Sequence, residues 1–586
     1  MIKRNLLILV IIILSMLPGN SQVKKQELKR EVTLYNPYKP TLPESLKKSF
    51  LPDMNDTSKV RPDFRYDVKT TPFLPEYTIS PIKAASLLPD PLPKLYKGYI
   101  NLGIGNYLTP LAEISLTNER SKKGSVGFYA RHFSSNGNVE LDNGRMAFAG
   151  YMDNDASVFG SRFFRNNVLK GSVDYTQKVR YAYGSSPVMP SYYNPLLMDF
   201  PSSKSDIRLR YNNIGAKTSL SSLTLDSASF SYKFDVYYNY FYTEKGLFQQ
   251  NAGFSGIMSK SYEGLYVGSG IKYDYSRIPD SLLATPKYIA SISPFIKKST
   301  EQWGFKIGIE ALLDKNMTAT ARFHVYPDIN LNLNIVPSYI SFFAGISGKL
   351  DKNEPMAIVS ENPYLIRDGS LFKLPNTSHD LVISSGFRGN TGLGGNYMVS
   401  ASYSMISNML LYSNINYPDS IHATARGSYF SALTDDVNLL NIHAEMNGPI
   451  SEKLSFIGVA NLNQYTLSKF AYAWNKPGWD AKLGLKYNLR DKIIAGMEIS
   501  AQGKRHEITN GDFVPPTGPS VPAFIDPRVV LLLPIHVNLN LSAEYRYSKI
   551  LSFWIKLNNI TNSHYYEWAF YPSQGLLFML GIKYSL

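Results

Sequence analysis

The sequence predicts an all-β protein: a transmembrane antiparallel β-barrel of about 22 strands with a proline-rich N-terminal extension. Three observations predict this class. From residue 97 onward, apolar and polar residues alternate with a period of two. The connections between these runs are alternately short polar turns and long irregular segments, as in outer-membrane barrels. After residue 22 no run of even 15 residues is uninterruptedly apolar, whereas a spanning helix needs about 20.

The N-terminus has the order of a secretory signal peptide. Lys3 and Arg4 precede an apolar run over residues 6–14, which is too short to span a bilayer, and small residues suited to cleavage follow up to Ser21. We therefore predict a signal peptide over residues 1–21 and export of the mature chain.

Residues 22–96 form a region of different composition. Eleven prolines lie between Pro37 and Pro93. Proline lacks the backbone donor that a β-ladder needs and restricts the residue before it, so a regular sheet or long helix is excluded here. We expect an extended strap or a flexible arm, located in the periplasm or inside the barrel.

The predicted barrel occupies residues 97–586. In the run LKGSVDYTQKVRYAYG, Val173 and Tyr175 fall on one face, while Asp174 and Lys178 fall on the other. AKLGLKYNL and VNLNLSAEYRY repeat this division. Short turns such as NLRDK and NGPISEK alternate with longer segments. The long segments lie at 185–204, 351–378, 414–425, 504–532 and 558–574.

The chain ends on an apolar alternating strand, GLLFMLGIKYSL. We expect this strand to pair with the first strand, near YINLGIG at 99–105, because closure removes the exposed edge of the sheet. An apolar final residue on an outward-facing strand also resembles the signal by which outer-membrane barrels are recognised for assembly. The outward-facing residues of this barrel-closing strand are Phe578, Leu580, Ile582, Tyr584 and Leu586.

Composition limits the partners. The chain has no cysteine, hence no disulfide, thiolate metal site or lipid-anchoring cysteine. The formal net charge of +15 comes from singly scattered Lys and Arg residues, and export argues against nucleic acid as the partner. We expect outer-membrane lipids around the barrel.

The closing stretch LNNITNSHYYEWAFYPSQGLLFMLGIKYSL resembles the last hairpin of TonB-dependent receptors. VYPDINLNLNIVPSYISFFAGISG and ENPYL are similar to mid-barrel strands of the same family. The resemblance covers about residues 97–586 and implies the outer membrane of a Gram-negative bacterium. The residues of the last hairpin that carry it are Asn558, Asn559, Asn562, Tyr565, Tyr571, Pro572 and Gly575.

The chain departs from this family before the barrel. TonB-dependent receptors have an N-terminal plug domain inside the barrel, and residues 22–96 are too few and too rich in proline to form it. A wide barrel normally has a filled lumen. We therefore expect the strap, inward-folded loops or a separate protein to fill it. The motif EVTLY (31–35) is similar to a TonB box and implies a contact with TonB.

No catalytic constellation is visible, so we predict neither an enzyme nor a cofactor or metal site. GNTGLGGN at 389–396 lacks the lysine and following helix of a phosphate loop, so a turn is the better interpretation. The acids at 153–155 and 435–436 lack a complete ligand series for a cation. None of the histidines has metal-ligand spacing; they are His132, His324, His379, His422, His443, His506, His536 and His564.

Two long loops, 351–378 and 504–532, are rich in Phe, Pro and Ile, and long irregular loops commonly bind ligands or partners. The residues predicted to take part are Tyr364, Phe372, Phe513 and Phe524.

Three functions remain open. The first is a receptor-like transporter without its own plug, acting with a partner such as a surface lipoprotein lid. The alternative is a non-transporting scaffold subunit of an outer-membrane assembly or secretion machine. An outer-membrane enzyme is the weakest option, because no motif supports it.

Overall fold

The computed structural model describes residues 96–118, 121–142, 144–184, 204–223, 230–244, 246–278, 286–315, 321–365, 374–392, 394–417, 427–509 and 529–586. Within them the dominant element is a closed antiparallel barrel of 22 strands, which confirms the predicted fold class. The predicted signal peptide, the strap and the motif at 31–35 lie outside the described residues.

The described residues contain 28 strands. In chain order they are β1 (Gly98–Gly105), β2 (Leu111–Thr117), β3 (Gly124–Ser135), β4 (Asn138–Glu140), β5 (Met146–Phe148), β6 (Tyr151–Phe163), β7 (Asn167–Tyr181), β8 (Arg208–Ser222), β9 (Ser231–Thr243), β10 (Phe248–Tyr262), β11 (Leu265–Arg277), β12 (Lys287–Ser299), β13 (Trp303–Lys315), β14 (Arg322–Val336), β15 (Ile340–Asp351), β16 (Thr377–Asn390), β17 (Asn396–Tyr417), β18 (Gly427–Pro449), β19 (Leu454–Leu467), β20 (Trp479–Leu489), β21 (Ile493–Gln502), β22 (Arg505–Thr509), β23 (Val529–Leu533), β24 (His536–Arg546), β25 (Leu551–Asn558), β26 (Tyr566–Trp568), β27 (Tyr571–Pro572) and β28 (Leu577–Ser585).

Alternation gives the barrel an apolar outer face and a polar lumen. Val173, Val236 and Ile292 point outward and are more than half exposed. Asp153 and Arg180 point inward and form an ion pair of 2.8 Å. An exposed apolar outer face of this kind is typical of transmembrane β-barrels.

The ring closes between its first and last strands. β1 pairs antiparallel with β28 from Tyr99 opposite Ser585 to Gly105 opposite Met579. The backbone N–H of Leu586 donates to the carbonyl of Gly98 at 2.8 Å. No unpaired edge is left at this seam, as the apolar terminal strand predicted.

The two ends of the barrel differ, and we name them by their connections. At the turn end, neighbouring strands are joined by short turns, including the one at 391–395, where Gly392 and Gly394 adopt positive φ angles of 80° and 86°. At the loop end the connections are longer, and β17 and β18 reach 22 and 23 residues. About ten tilted residues cross a membrane, so these strands extend well beyond it.

Several short elements lie at the loop end beyond the ring. They are the hairpins β4–β5, β22–β23 and β26–β27, and the helix α1 (Pro355–Glu361). Sequence alternation predicted loops at these places, because strands of two to five residues are too short to show a period. Among the described residues, no helix is both long and apolar enough to cross a membrane.

Candidate functional site

Two segments fold inward at the loop end and meet inside the barrel mouth. The first is α1 with the residues that follow it up to Leu365, and the second is the stretch from Tyr565 to Pro572 that contains β26 and β27. We call these two segments together the loop-end cap. The cap contacts β8 and β10 on one part of the ring, β17 and β18 on another, and the hairpin strand β22 beyond the ring, so it crosses the mouth.

The start of α1 is fixed to the lumenal wall. The Glu354 carboxylate accepts hydrogen bonds from the side-chain amides of Gln249, at 2.6 Å, and Asn251, at 2.9 Å. The backbone N–H of Met356 donates back to Gln249 at 3.2 Å. Pro355 occupies the first turn of the helix, where its missing N–H costs nothing.

The far end of the helix reaches a second wall. The Tyr412 hydroxyl on β17 donates to Glu361 at 2.9 Å, and Lys476 pairs with the same carboxylate at 2.6 Å. Just after the helix, the Tyr211 hydroxyl on β8 donates to the Pro363 carbonyl at 2.5 Å. Both ends of this segment are therefore held by side chains of barrel strands.

The second segment of the cap rests on β22. The Arg505 guanidinium donates to the carbonyls of Tyr566 and Glu567, the latter at 2.7 Å, and to Asn475 at 2.8 Å. This arrangement satisfies backbone carbonyls that would otherwise be buried without partners. Burial lowers the pKa of Arg505, whereas Glu507 and Glu567 nearby oppose that shift.

Glu507 is fully buried beneath the cap. One carboxyl oxygen accepts the backbone N–H of Ala569 at 2.8 Å, and the other has no hydrogen-bond partner among the described residues. Burial raises the pKa of Glu507 to about 8, although the Ala569 N–H and the Arg505 guanidinium oppose this. Glu507 lies beyond β21, whose ten residues make the membrane crossing.

Aromatic rings join the two segments of the cap. Tyr364 and Tyr571 stack with their centroids 3.7 Å apart, and Tyr183 packs edge-on against Tyr571 at 5.1 Å. Trp568 packs edge-on against Tyr412 and Phe430, each at 5.2 Å. Burial raises the pKa of both Tyr364 and Tyr571, so their phenols stay neutral near neutral pH.

A cavity of about 250 Å³ lies between the cap and the wall formed by β7, β8 and β9. Its walls combine charged and aromatic side chains, a composition common in small-molecule sites. The lining includes Lys178, Arg180, Tyr211, Phe241, Glu361, Tyr364, Glu567 and Trp568.

The charges in this cavity are only partly neutralised. Arg180 pairs with Asp153, and Glu361 pairs with Lys476. Lys178 and Glu567 are exposed, and neither has an ion-pair partner among the described residues. One free cation and one free anion therefore face a space large enough for a small solute.

The structure places one of the four predicted loop residues in the cap. Tyr364 lies at its centre, whereas Phe372, Phe513 and Phe524 lie outside the described residues. Of the closing strand, Leu580, Ile582, Tyr584 and Leu586 are exposed on the outer face, and Phe578 is half-buried on that face. Their role in assembly stays a prediction.

Sequence reasoning did not select Glu507, Trp568 or Tyr571 as site residues. Their contacts join segments distant in the chain, which no local pattern reports. The density of aromatic residues in HYYEWAFYP was the available signal.

The acids considered as cation ligands have other partners. Asp153 pairs with Arg180, and Asp155 pairs with Arg131 at 3.6 Å. Asp435 accepts the backbone N–H groups of residues 469 and 470 at 2.9–3.1 Å. In the parts of the chain that the structure describes, no group of three or more His, Cys, Asp or Glu residues could hold a metal ion.

A closed ring of 22 antiparallel strands with an inward-folded cap defines a wide transmembrane barrel. The FrpB iron transporter from Neisseria meningitidis is similar, with a TM-score of 0.60 and 12% identity over 84% of this chain and 83% of that one. The ferric-catecholate import receptor Fiu from E. coli K12 gives a TM-score of 0.57 and 10% identity over 84% and 82% of the two chains. The copper transporter OprC gives 0.57 and 11% over 84% and 81%.

These similar structures are TonB-dependent receptors, so the resemblance is confirmed at the level of the fold. The barrel resembles those of Gram-negative outer-membrane receptors, as the closing hairpin predicted. They are described as transporters or receptors rather than enzymes. No model of a known protein family and no curated protein matches the chain.

Proposed function

We propose that this protein is a receptor-like outer-membrane barrel that binds a solute in the cavity beneath the loop-end cap. It moves the solute with a partner protein and is not an enzyme. The observation that carries the proposal is the cavity itself, which is lined by Lys178 and Glu567, two charged residues without an ion-pair partner in the described part of the chain. The fold shared with iron and copper transporters supports transport as the class of function.

The proposal includes a partner because residues 22–96 are too short and proline-rich for a standard plug. A surface lipoprotein that covers the loop end would complete the site from outside. A contact of residues 31–35 with TonB would supply the energy for uptake.

The first test is purification of the tagged protein from native outer membrane in mild detergent, with mass spectrometry of the proteins that remain bound. Recovery alone, or with one surface lipoprotein, supports transport. Recovery of assembly or secretion subunits at equal stoichiometry contradicts autonomous transport.

The second test examines the cavity directly. The purified protein is screened with solutes in planar bilayers by recording current block. Lys178→Met and Glu567→Gln are each expected to weaken the block by any active solute about tenfold or more, since each removes a charge-assisted contact. Lys217→Met is the matched control because Lys217 is an exposed lumenal cation outside the cavity. Equal effects of all three variants would contradict a site at the cavity.

The second candidate is a non-transporting scaffold subunit. One observation favours the scaffold. Tyr412 and Phe430 of the barrel wall are fully buried against Trp568 of the cap, as side chains are in the core of a rigid domain. A cap that never opens would leave the barrel closed and make the outer surface and loops its working parts. The bound proteins recovered in the first test distinguish the two candidates.

A further inference from the structure

Charge is unevenly distributed around the turn end of the barrel. Four turns are consecutive around the ring: β20–β21, β24–β25, β2–β3 and β6–β7, with the β28–β1 seam among them. Their described residues include six cations and a single acid, Asp491. We call these six cations the basic arc: Lys122, Lys123, Arg165, Arg490, Lys492 and Lys549.

The remaining turns have the opposite balance. Their described residues include one cation, Lys453, and three acids, Glu263, Glu301 and Glu452. Among the described residues of the turns themselves, the cations are therefore concentrated on one side of the ring.

The charges of the basic arc are free to bind a partner. All six residues are exposed, and none forms an ion pair among the described residues. Within the described ranges, Lys492 alone of the six has a side-chain hydrogen bond, to the carbonyl of Tyr547 at 3.4 Å, which links two neighbouring turns. Asp491 is tied within its own turn, since it accepts the side-chain amide of Asn488 at 2.6 Å.

Exposed tyrosines border the basic arc on the outer face. Tyr487, Tyr545 and Tyr584 point outward near the turn ends of β20, β24 and β28, and Tyr547 is 63% exposed in the adjoining turn. Above them the outer face is apolar. Tyrosine concentrates where the hydrocarbon of a membrane meets its headgroups, so these rings mark the headgroup level on this side.

We propose that the basic arc binds anionic phospholipid headgroups of the periplasmic leaflet. The short turns of outer-membrane barrels face the periplasm, so the arc lies at that leaflet. Lys and Arg side chains attract anionic lipids, and the flanking tyrosines hold the headgroup against the apolar wall. An acidic periplasmic protein fits less well, because exposed tyrosines and the apolar outer face border the arc.

The test uses the full-length protein in bilayers that contain phosphatidylethanolamine and a minor fraction of phosphatidylglycerol. The protein is extracted in mild detergent, and the retained lipids are quantified by mass spectrometry. We expect phosphatidylglycerol to be enriched about threefold or more over its bulk fraction, and the enrichment to fall at high salt. The variant Arg490→Gln/Lys492→Gln/Lys549→Gln removes the three arc cations that lie beside the tyrosines and should lose most of the enrichment.

The matched control is Lys204→Gln/Lys315→Gln/Lys504→Gln, which removes three cations at the loop end. It should keep the enrichment. Retained lipid at the bulk ratio, or equal loss in both variants, would overturn the proposal. Co-purification of an acidic periplasmic protein with the unmodified protein from native membranes, and its absence from the turn-end variant, would also overturn the proposal.

Discussion

Tyr571 is the side chain at which the cap and the barrel meet. It is 3% exposed, stacks on Tyr364 and packs against Tyr183, whose hydroxyl donates to the neighbouring Pro572 carbonyl at 2.9 Å. The ring of Tyr571 therefore joins its own segment of the cap to the other segment, through Tyr364, and to the residues that follow β7, through Tyr183.

Tyr571→Ala should loosen the cap. Removal of a buried aromatic side chain costs about 3–5 kcal/mol, and here the loss falls on the junction between segments, not on the barrel. We expect higher single-channel conductance in planar bilayers with the barrel intact. Tyr547→Ala, at a 63% exposed tyrosine of the turn end, should leave conductance unchanged. Unchanged conductance in Tyr571→Ala would mean that the cap does not limit passage.

Glu507 should make the cap sensitive to pH. The pKa in the folded protein is raised from the ordinary 4.5 to about 8, so the neutral carboxyl group is the form that the buried site accommodates. Its contribution to stability is complete below pH 4.5 and is lost as pH rises through about 8. Amide hydrogen exchange of residues 566–572, corrected for intrinsic rates, should therefore be faster on the alkaline side of this range.

Glu507→Gln should abolish that pH dependence, because the amide keeps an acceptor for the Ala569 N–H and cannot ionise. Glu567→Gln, at an exposed neighbouring carboxyl group, is the control and should leave the pH dependence of the exchange unchanged. Equal corrected exchange at acid and alkaline pH in the unmodified protein would contradict a role for Glu507.

Among the elements, the strands and the cap differ in how far sequence could predict them. The barrel of about 22 strands was predicted, because an apolar environment on one side and a polar one on the other impose a period of two on each strand separately. The seam between β1 and β28 followed from the need to pair both edges. Tyr364 was predicted to be functional only as part of a long aromatic loop.

The cap was missed because its stability comes from contacts between distant segments. Tyr364 meets Tyr571, and Glu507 meets Ala569, across large separations in the chain. β26 and β27 have three and two residues, too few to show any period. The conformation of such short elements depends on their contacts with the barrel strands and with each other, and their own sequence does not predict it.

The closing strand offers a test of which face meets lipid. Leu580 lies near the middle of β28 on the outer face and is 50% exposed. Leu580→Lys should destabilise the barrel by about 2–4 kcal/mol in denaturant unfolding from lipid bilayers, because a charge then faces hydrocarbon. Lys583→Gln on the lumenal face should cost under about 1 kcal/mol, mainly a cation–π contact with Tyr99. Similar costs for both would contradict the assigned faces.

At the scale of the whole molecule, every barrel strand has two neighbours in the ring. A chain that ends at residue 576 lacks β28 and would expose the edges of β1 and β25. We expect it to fail to form the compact, heat-sensitive band of a folded barrel in detergent electrophoresis. A chain that instead lacks the ten residues 511–520, which belong to none of the 22 barrel strands, should still fold. A folded band from the first chain would contradict closure by β28.

The pairing of β1 with β28 also determines which step of barrel folding comes last. β1 is synthesised first but can pair with β28 only after all the other strands have been synthesised. The contact with the largest sequence separation in the sheet is therefore the one that closes the barrel. Closing contacts of such high sequence separation are slow to form unaided. Until this contact forms, β1 and β28 each keep one unpaired edge, and such edges pair readily with other chains.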